Sequence, residues 1–114
     1  FPGGVRVVPE SKATIYPPTN AVAVTISATL EPDAWVHQAE YKTDGVAITI
    51  EAIGADGTSI AMQELVIDPA VSKQNDPPST LSVAIPPEAD HLDIIFSARE
   101  NGALDNATVV LSYE

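Results

Sequence analysis

The feature that most limits this fold is strict alternation. In "AVAVTISATL", residues 21–30, Val22, Val24, Ile26, Ala28 and Leu30 alternate with Ala23, Thr25, Ser27 and Thr29. A repeat of two puts every large apolar side chain on one face of an extended chain, which a helix cannot do. "VAITIEAI", residues 46–53, repeats it, with Val46, Ile48, Ile50 and Ala52 inward. Later runs are one-sided in the same way: Leu81, Val83 and Ile85, then Leu92, Ile94, Phe96 and Ala98, then Val109, Leu111 and Tyr113. Two N-terminal pieces, residues 5–8 and 13–16, are divided by Pro9 and stopped by Pro17-Pro18. Proline cannot donate to a strand ladder, so these read as edge or irregular strands. In "IAMQELVI", residues 60–67, Ile60 and Met62 share one parity while Leu65 and Ile67 share the other. A β-bulge between Met62 and Leu65 would return both pairs to the core, and a short helix is the competing reading.

The choice of apolar residue agrees. Val, Ile and Ala dominate, while aromatics are 5% of the chain. β-Branched residues suit a pleated surface and lose rotamer freedom in helices. The ten prolines and six glycines fall mostly between the apolar runs. Asp44-Gly45, "GADGTS" and Asn101-Gly102 mark turns, and "DPAVSKQNDPPS", residues 68–79, is the longest break and reads as a surface loop. The expectation is one all-β domain over residues 1–114: a two-sheet antiparallel sandwich of jelly-roll type with about eight or nine short strands. No amphipathic helix is expected.

Charge removes some function classes. Five basic residues face sixteen acidic ones, a formal net charge of −11. Nucleic-acid binding requires Lys and Arg to neutralise phosphates, so no nucleic-acid partner is expected. Anionic membrane surfaces repel such a chain, and no apolar run approaches the roughly 20 residues of a membrane span, so no membrane insertion is expected. With no cysteine there is neither a disulfide nor thiolate chemistry. The chain begins at Phe1, which suggests a processed or excised piece of a larger protein with covalently linked domains outside it. An extracellular, periplasmic or cell-surface location is the matching expectation.

From residue 21 to residue 113 the order of features resembles β-jelly-roll domains of the carbohydrate-binding-module kind. The resemblance is carried by "VAVTISATL", the aromatic-bearing "WVHQAEY", "VAITIEAIGADG" with its "DG" turn, "LSVAIPPEADHLDIIF" with its proline corner, and the close "LDNATVVLSY". It implies a sugar site on a sheet or loop rim built on exposed aromatics, and a structural calcium site near a sheet edge.

Several residues could carry chemistry. Read as a strand, "WVHQAEYK" puts Trp35, His37 and Tyr41 on one side, where they form either a ligand cleft or the strand's core face. His91 and Asp93 of "DHLD" share an outward face, but two ligands are too few for a metal. Of the acids at strand ends, Glu31, Asp33 and Asp105 are the choice for a calcium ion, against ordinary turn chemistry. There is no cysteine and no G-x-S-x-G elbow, and only two histidines can serve as bases, so no enzyme is expected. The expected function is a non-catalytic binding module for a glycan or protein partner, with residues 68–79 at the rim. The alternative is a structural, assembly or adhesion module associating through its edge strands.

Overall fold

The computed structural model describes residues 4–7, 11–73, 75–99 and 105–114. They form β1 (Gly4–Val7), β2 (Ser11–Ile15), β3 (Ala23–Leu30), α1 (Asp33–Tyr41), β4 (Val46–Gly54), β5 (Ser59–Ile67), β6 (Ser79–Ala84), β7 (Ala89–Ala98) and β8 (Ala107–Tyr113). One sheet has the order β1-β8-β3-β6 and the other β2-β7-β4-β5. All neighbours are antiparallel. The pairs β1–β8, β2–β7, β3–β6 and β4–β5 are those of one long hairpin. Rolling that hairpin up adds β8–β3 and β7–β4. This is the jelly-roll arrangement the alternation led us to expect.

The core is what the alternation marked. Val24, Ile26, Ala28 and Leu30 of β3 are buried, as are Val46, Ile48, Ile50 and Ala52 of β4 and Leu92, Ile94 and Phe96 of β7. Each fully buried Val, Ile, Leu or Phe side chain contributes about 1.5–3 kcal/mol of transfer free energy, and the alanines less. The proline-limited β1 and β2 are both edge strands, as expected. The Asn101-Gly102 turn, Val8 and Pro9 lie outside the described residues.

Three expectations are corrected. Residues 33–41 are helix rather than strand. Pro32 at the N-cap has φ −53°, which suits a helix start and needs no N–H partner, and Asp33 places a carboxylate in the first turn. Ala34, Gln38, Ala39 and Glu40 are among the better helix formers, and Lys42, left-handed at φ 54°, ends the run. The second correction concerns β5. It is a strand, but its irregularity falls at Ile60: Ala52 pairs with Ala61 and Ile53 with Ser59. Leu65 and Ile67 point inward and Met62 points out, 61% exposed. The third is Val22, expected inside but 67% exposed, because β3 starts one residue later.

The register places the connections at two ends. Residues 16–22, 55–58 and 85–88 lie at one end; α1, residues 68–78 and the segment before β8 lie at the other. These are called the proline end and the helical end.

Candidate functional sites at the two ends

The helical end carries the residues singled out from sequence, in a different arrangement. On a helix, residues two apart point some 200° apart, so Trp35 and His37 do not share a face. His37 turns inward and donates from Nδ1 to Asp105 Oδ1 at 2.9 Å. The other carboxylate oxygen accepts from Thr43 Oγ1 at 2.7 Å, and Thr43 Oγ1 accepts from the Gly45 N–H at 3.3 Å. Asp105 is wholly buried. A buried carboxylate is tolerated only where its oxygens are hydrogen-bonded, as both are here. The network ties α1, the entry to β4 and the entry to β8 together; the Glu31 N–H, bonded to the Asn106 carbonyl at 2.8 Å, adds a further tie. Thr43 bonds the carboxylate and not the imidazole, so the three do not form a nucleophile–base–acid relay.

Trp35 is partly buried against the core, and its Nε1 is buried with no partner among the described residues. Between α1 and residues 68–79 the space beside Trp35 is only about 20 Å³, roughly one water. On its other side Trp35 borders a shallow depression of about 420 Å³ with Pro32, Val36 and Ala39, flanked by Asp33 and Glu40. The Tyr41 side chain lies outside the described part of the structure. Of the residues expected to hold an ion, Glu31, Asp33 and Asp105, the last is wholly buried. Both Asp105 oxygens are engaged, and no group of three or more acid or histidine side chains among the described residues is arranged to hold a metal.

The proline end carries a set that sequence did not single out as a site. Tyr16, just past β2, is 70% exposed, and its ring lies 5.7 Å from that of His91, tilted by 54°. Ile15 pairs with Leu92, so Tyr16 and His91 follow as the next neighbours on the sheet's outer face. His91 Nδ1 donates to Asp90 Oδ2 at 2.8 Å. Behind the ring, Asp93 is buried, accepting from Thr14 Oγ1 at 2.8 Å, with Lys12 Nζ at 3.9 Å. Beside this pair runs a groove of about 550 Å³, with residues 17–22 on one wall and residues 85–87, Ala89 and Asp90 on the other. Each wall contains a proline-led turn. The Pro18 carbonyl accepts from Ala21 N–H and the Pro86 carbonyl from Ala89 N–H, both at 3.0 Å. Pro17, Pro18, Pro86 and Pro87 fix φ, so the walls lose little freedom when a ligand is bound. Val22 is pinned by its backbone, donating to the Glu114 carbonyl at 2.7 Å and accepting from Ile85 N–H at 2.9 Å, while its side chain faces solvent.

The sequence held part of this signal. The alternation places His91 and Asp93 on the outer face of β7, where Asp93 is nonetheless covered. Tyr16 before a proline pair is a large aromatic at a strand end, and Val22 is an apolar residue at the mouth of a turn. Tyr16 is brought to His91 by the β2–β7 pairing, whose Thr14–Asp93 bond spans 79 residues, and Val22 is held by Ile85 and Glu114.

No family model matches the chain, and no curated protein matches it in sequence. Among solved structures it is similar to a chain of the glycosylation-associated protein complex Gap123 of Streptococcus agalactiae, with a TM-score of 0.56 and 13% identity, covering 98% of this chain and 33% of that one. It is similar at the same TM-score and 7% identity to a chain of accessory secretory protein 1, 2 and 3 from Streptococcus pneumoniae, covering 97% and 79%. A third is the enzymatically active domain of tailspike protein 4 of bacteriophage CBA120, with a TM-score of 0.54 and 14% identity, covering 97% and 15%. The chain thus spans about a third of the first and a smaller part of the third. At these identities the shared property is the fold, a β-sandwich.

Proposed function

We propose that this domain is a non-catalytic binding module whose ligand is a carbohydrate, and that the ligand lies in the groove of the proline end. One observation carries the reading: the exposed Tyr16 ring packs against His91, and the chain neighbours of these two residues, Pro17 and Asp90, line a groove walled by proline-led turns. An exposed aromatic face covers the C–H side of a sugar ring, and Asp90, Thr19 and Asn20 of the groove supply hydrogen-bonding groups, with His91 orienting Asp90. The groove's volume falls within the roughly 300–1,000 Å³ usual for ligand sites. The likeness to a glycosylation-associated complex is compatible with this reading.

A glycan array followed by titration calorimetry tests it. Tyr16→Ala is expected to weaken binding about tenfold, the worth of one lost stacking contact. Trp35 emission should stay unchanged on ligand addition, because Trp35 belongs to the other end. A ligand that shifts Trp35 emission and ignores Tyr16→Ala would move the site to the α1 depression.

A second reading, assembly, has its own observation. β5 is a nine-residue edge strand with no Lys or Pro, and Met62 and Val66 are exposed on its outer face. Such an edge is a template for another strand. Concentration-dependent association in sedimentation, abolished by Val66→Lys, is the expected result; a monomer at all concentrations removes this reading.

A further inference from the structure

We infer that the groove of the proline end selects a positively charged sugar, an unacetylated amino sugar, over neutral and acidic ones. This rests on the reading of the groove as a carbohydrate site. Among the described residues the one charged side chain lining the groove is Asp90, and no Lys or Arg lines it. An acidic sugar would therefore meet a carboxylate with no cation to offset it. Asp90 is held in place at the lip by His91, which occupies Oδ2, while its other oxygen meets no donor among the described residues. Further carboxylates stand behind its partner His91. Asp93 lies 3.9 Å from His91 Nε2, and Glu51 stands directly across the β4–β7 ladder from Asp93. Like charges opposed in this way are unfavourable, and the nearby cation, Lys12, is mostly exposed beside Asp93 rather than in the groove.

Tyr16 adds the second element. The face of a phenol ring attracts a cation, and this ring is open to solvent beside Asp90's partner His91. A sugar ring stacked on Tyr16 with an ammonium substituent toward Asp90 gains a charge-assisted hydrogen bond that an acetamido or hydroxyl group does not give. Both contacts are solvent-exposed, so the gain is modest, about fivefold in affinity.

The experiment is calorimetric titration of the wild-type domain, Asp90→Asn and Tyr16→Ala with four tetrasaccharides: glucosamine, N-acetylglucosamine, glucose (β-1,4) and galacturonate. A tetralysine peptide serves as the charge-only control. The glucosamine oligomer is expected to bind about fivefold more tightly than its acetylated counterpart. That gap should close in Asp90→Asn and in about 0.5 M salt, and galacturonate should not bind. Equal binding of the two amino-sugar oligomers to wild type, or a gap that persists in Asp90→Asn, overturns the inference and leaves the carbohydrate reading standing. Tetralysine competing as well as the glucosamine oligomer overturns it too, since charge alone would then suffice. If none of the four saccharides binds, the carbohydrate reading fails and the inference falls with it.

Discussion

At the helical end the sandwich closes around a buried carboxylate, with Asp105 spending both oxygens on His37 and Thr43. At the proline end it closes around two proline-led turns and leaves an aromatic and a carboxylate in solvent. The chemistry is similar, a histidine paired with an aspartate in each case. The difference is the burial of the carboxylate, 0% exposed for Asp105 and 48% for Asp90. A satisfied buried pair fixes three segments of chain and has nothing left to offer a ligand. A pair whose carboxylate is exposed contributes little to stability and keeps one carboxylate oxygen available. The contrast assigns structure to one end and recognition to the other, and each assignment can be broken separately.

The largest effect separates the ends through two glycines that share one backbone angle. Gly45, at the helical end, and Gly57, at the proline end, both have φ +85°. A Cβ on Gly45 would collide with the Ile67 carbonyl and meet Pro69 Cδ at 2.7 Å, whereas one on Gly57 meets nothing within 4 Å. Gly57→Ala should cost only the left-handed backbone penalty, about 1 kcal/mol. Gly45→Ala adds the clash and should cost about 3 kcal/mol or more. Urea unfolding followed by circular dichroism measures both. Equal costs would mean that the helical end yields as freely as the turn, and the contrast in rigidity would be lost.

Asp105→Ala comes next. It strands the Thr43 hydroxyl and the His37 N–H in a buried site, for an expected loss of about 3 kcal/mol, while Thr43→Val should cost about 1 kcal/mol. Glycan binding at the proline end should be unchanged in whatever fraction remains folded. A loss below about 1 kcal/mol for Asp105→Ala would show that this network does not hold the end together.

These residues also show what could be read from the chain. Sheet faces were legible because alternation is a local signal: Val24, Ile26, Ile48, Ile50 and Phe96 point inward as their parity requires. α1 was misread because "WVHQAEYK" alternates in polarity weakly and carries no wide apolar stripe. The better signal lay in Pro32-Asp33 and the helix-forming residues after it. Val22 was misread because alternation cannot say where a strand begins. Neither site could be assembled from sequence. Asp105 lies 68 residues from His37, and Asp93 lies 79 from Thr14. Turn acids that cap a loop and acids that hold a buried histidine look alike until the sheets pair.

The smallest expected effect sharpens the contrast from the exposed side. Asp56, in the β4–β5 turn of the proline end, accepts the Thr58 N–H at 3.0 Å. That bond, chiefly, holds its carboxyl below the ordinary value of 3.8, because the ionised form is the better acceptor. The sign follows from linkage. A carboxyl with a lowered folded value adds stability above its unfolded value and loses that contribution as pH falls through the folded one. At neutral pH the contribution is therefore present in full, and Asp56→Asn should weaken the turn slightly there and have no effect in strong acid. A carbon-detected NMR titration of Asp56 should give a midpoint below 3.8. A midpoint at or above that value would mean the Thr58 bond is not formed in solution. The proline end's turns would then be looser than their geometry implies, and the rigidity invoked for the groove walls would need to rest on the prolines alone.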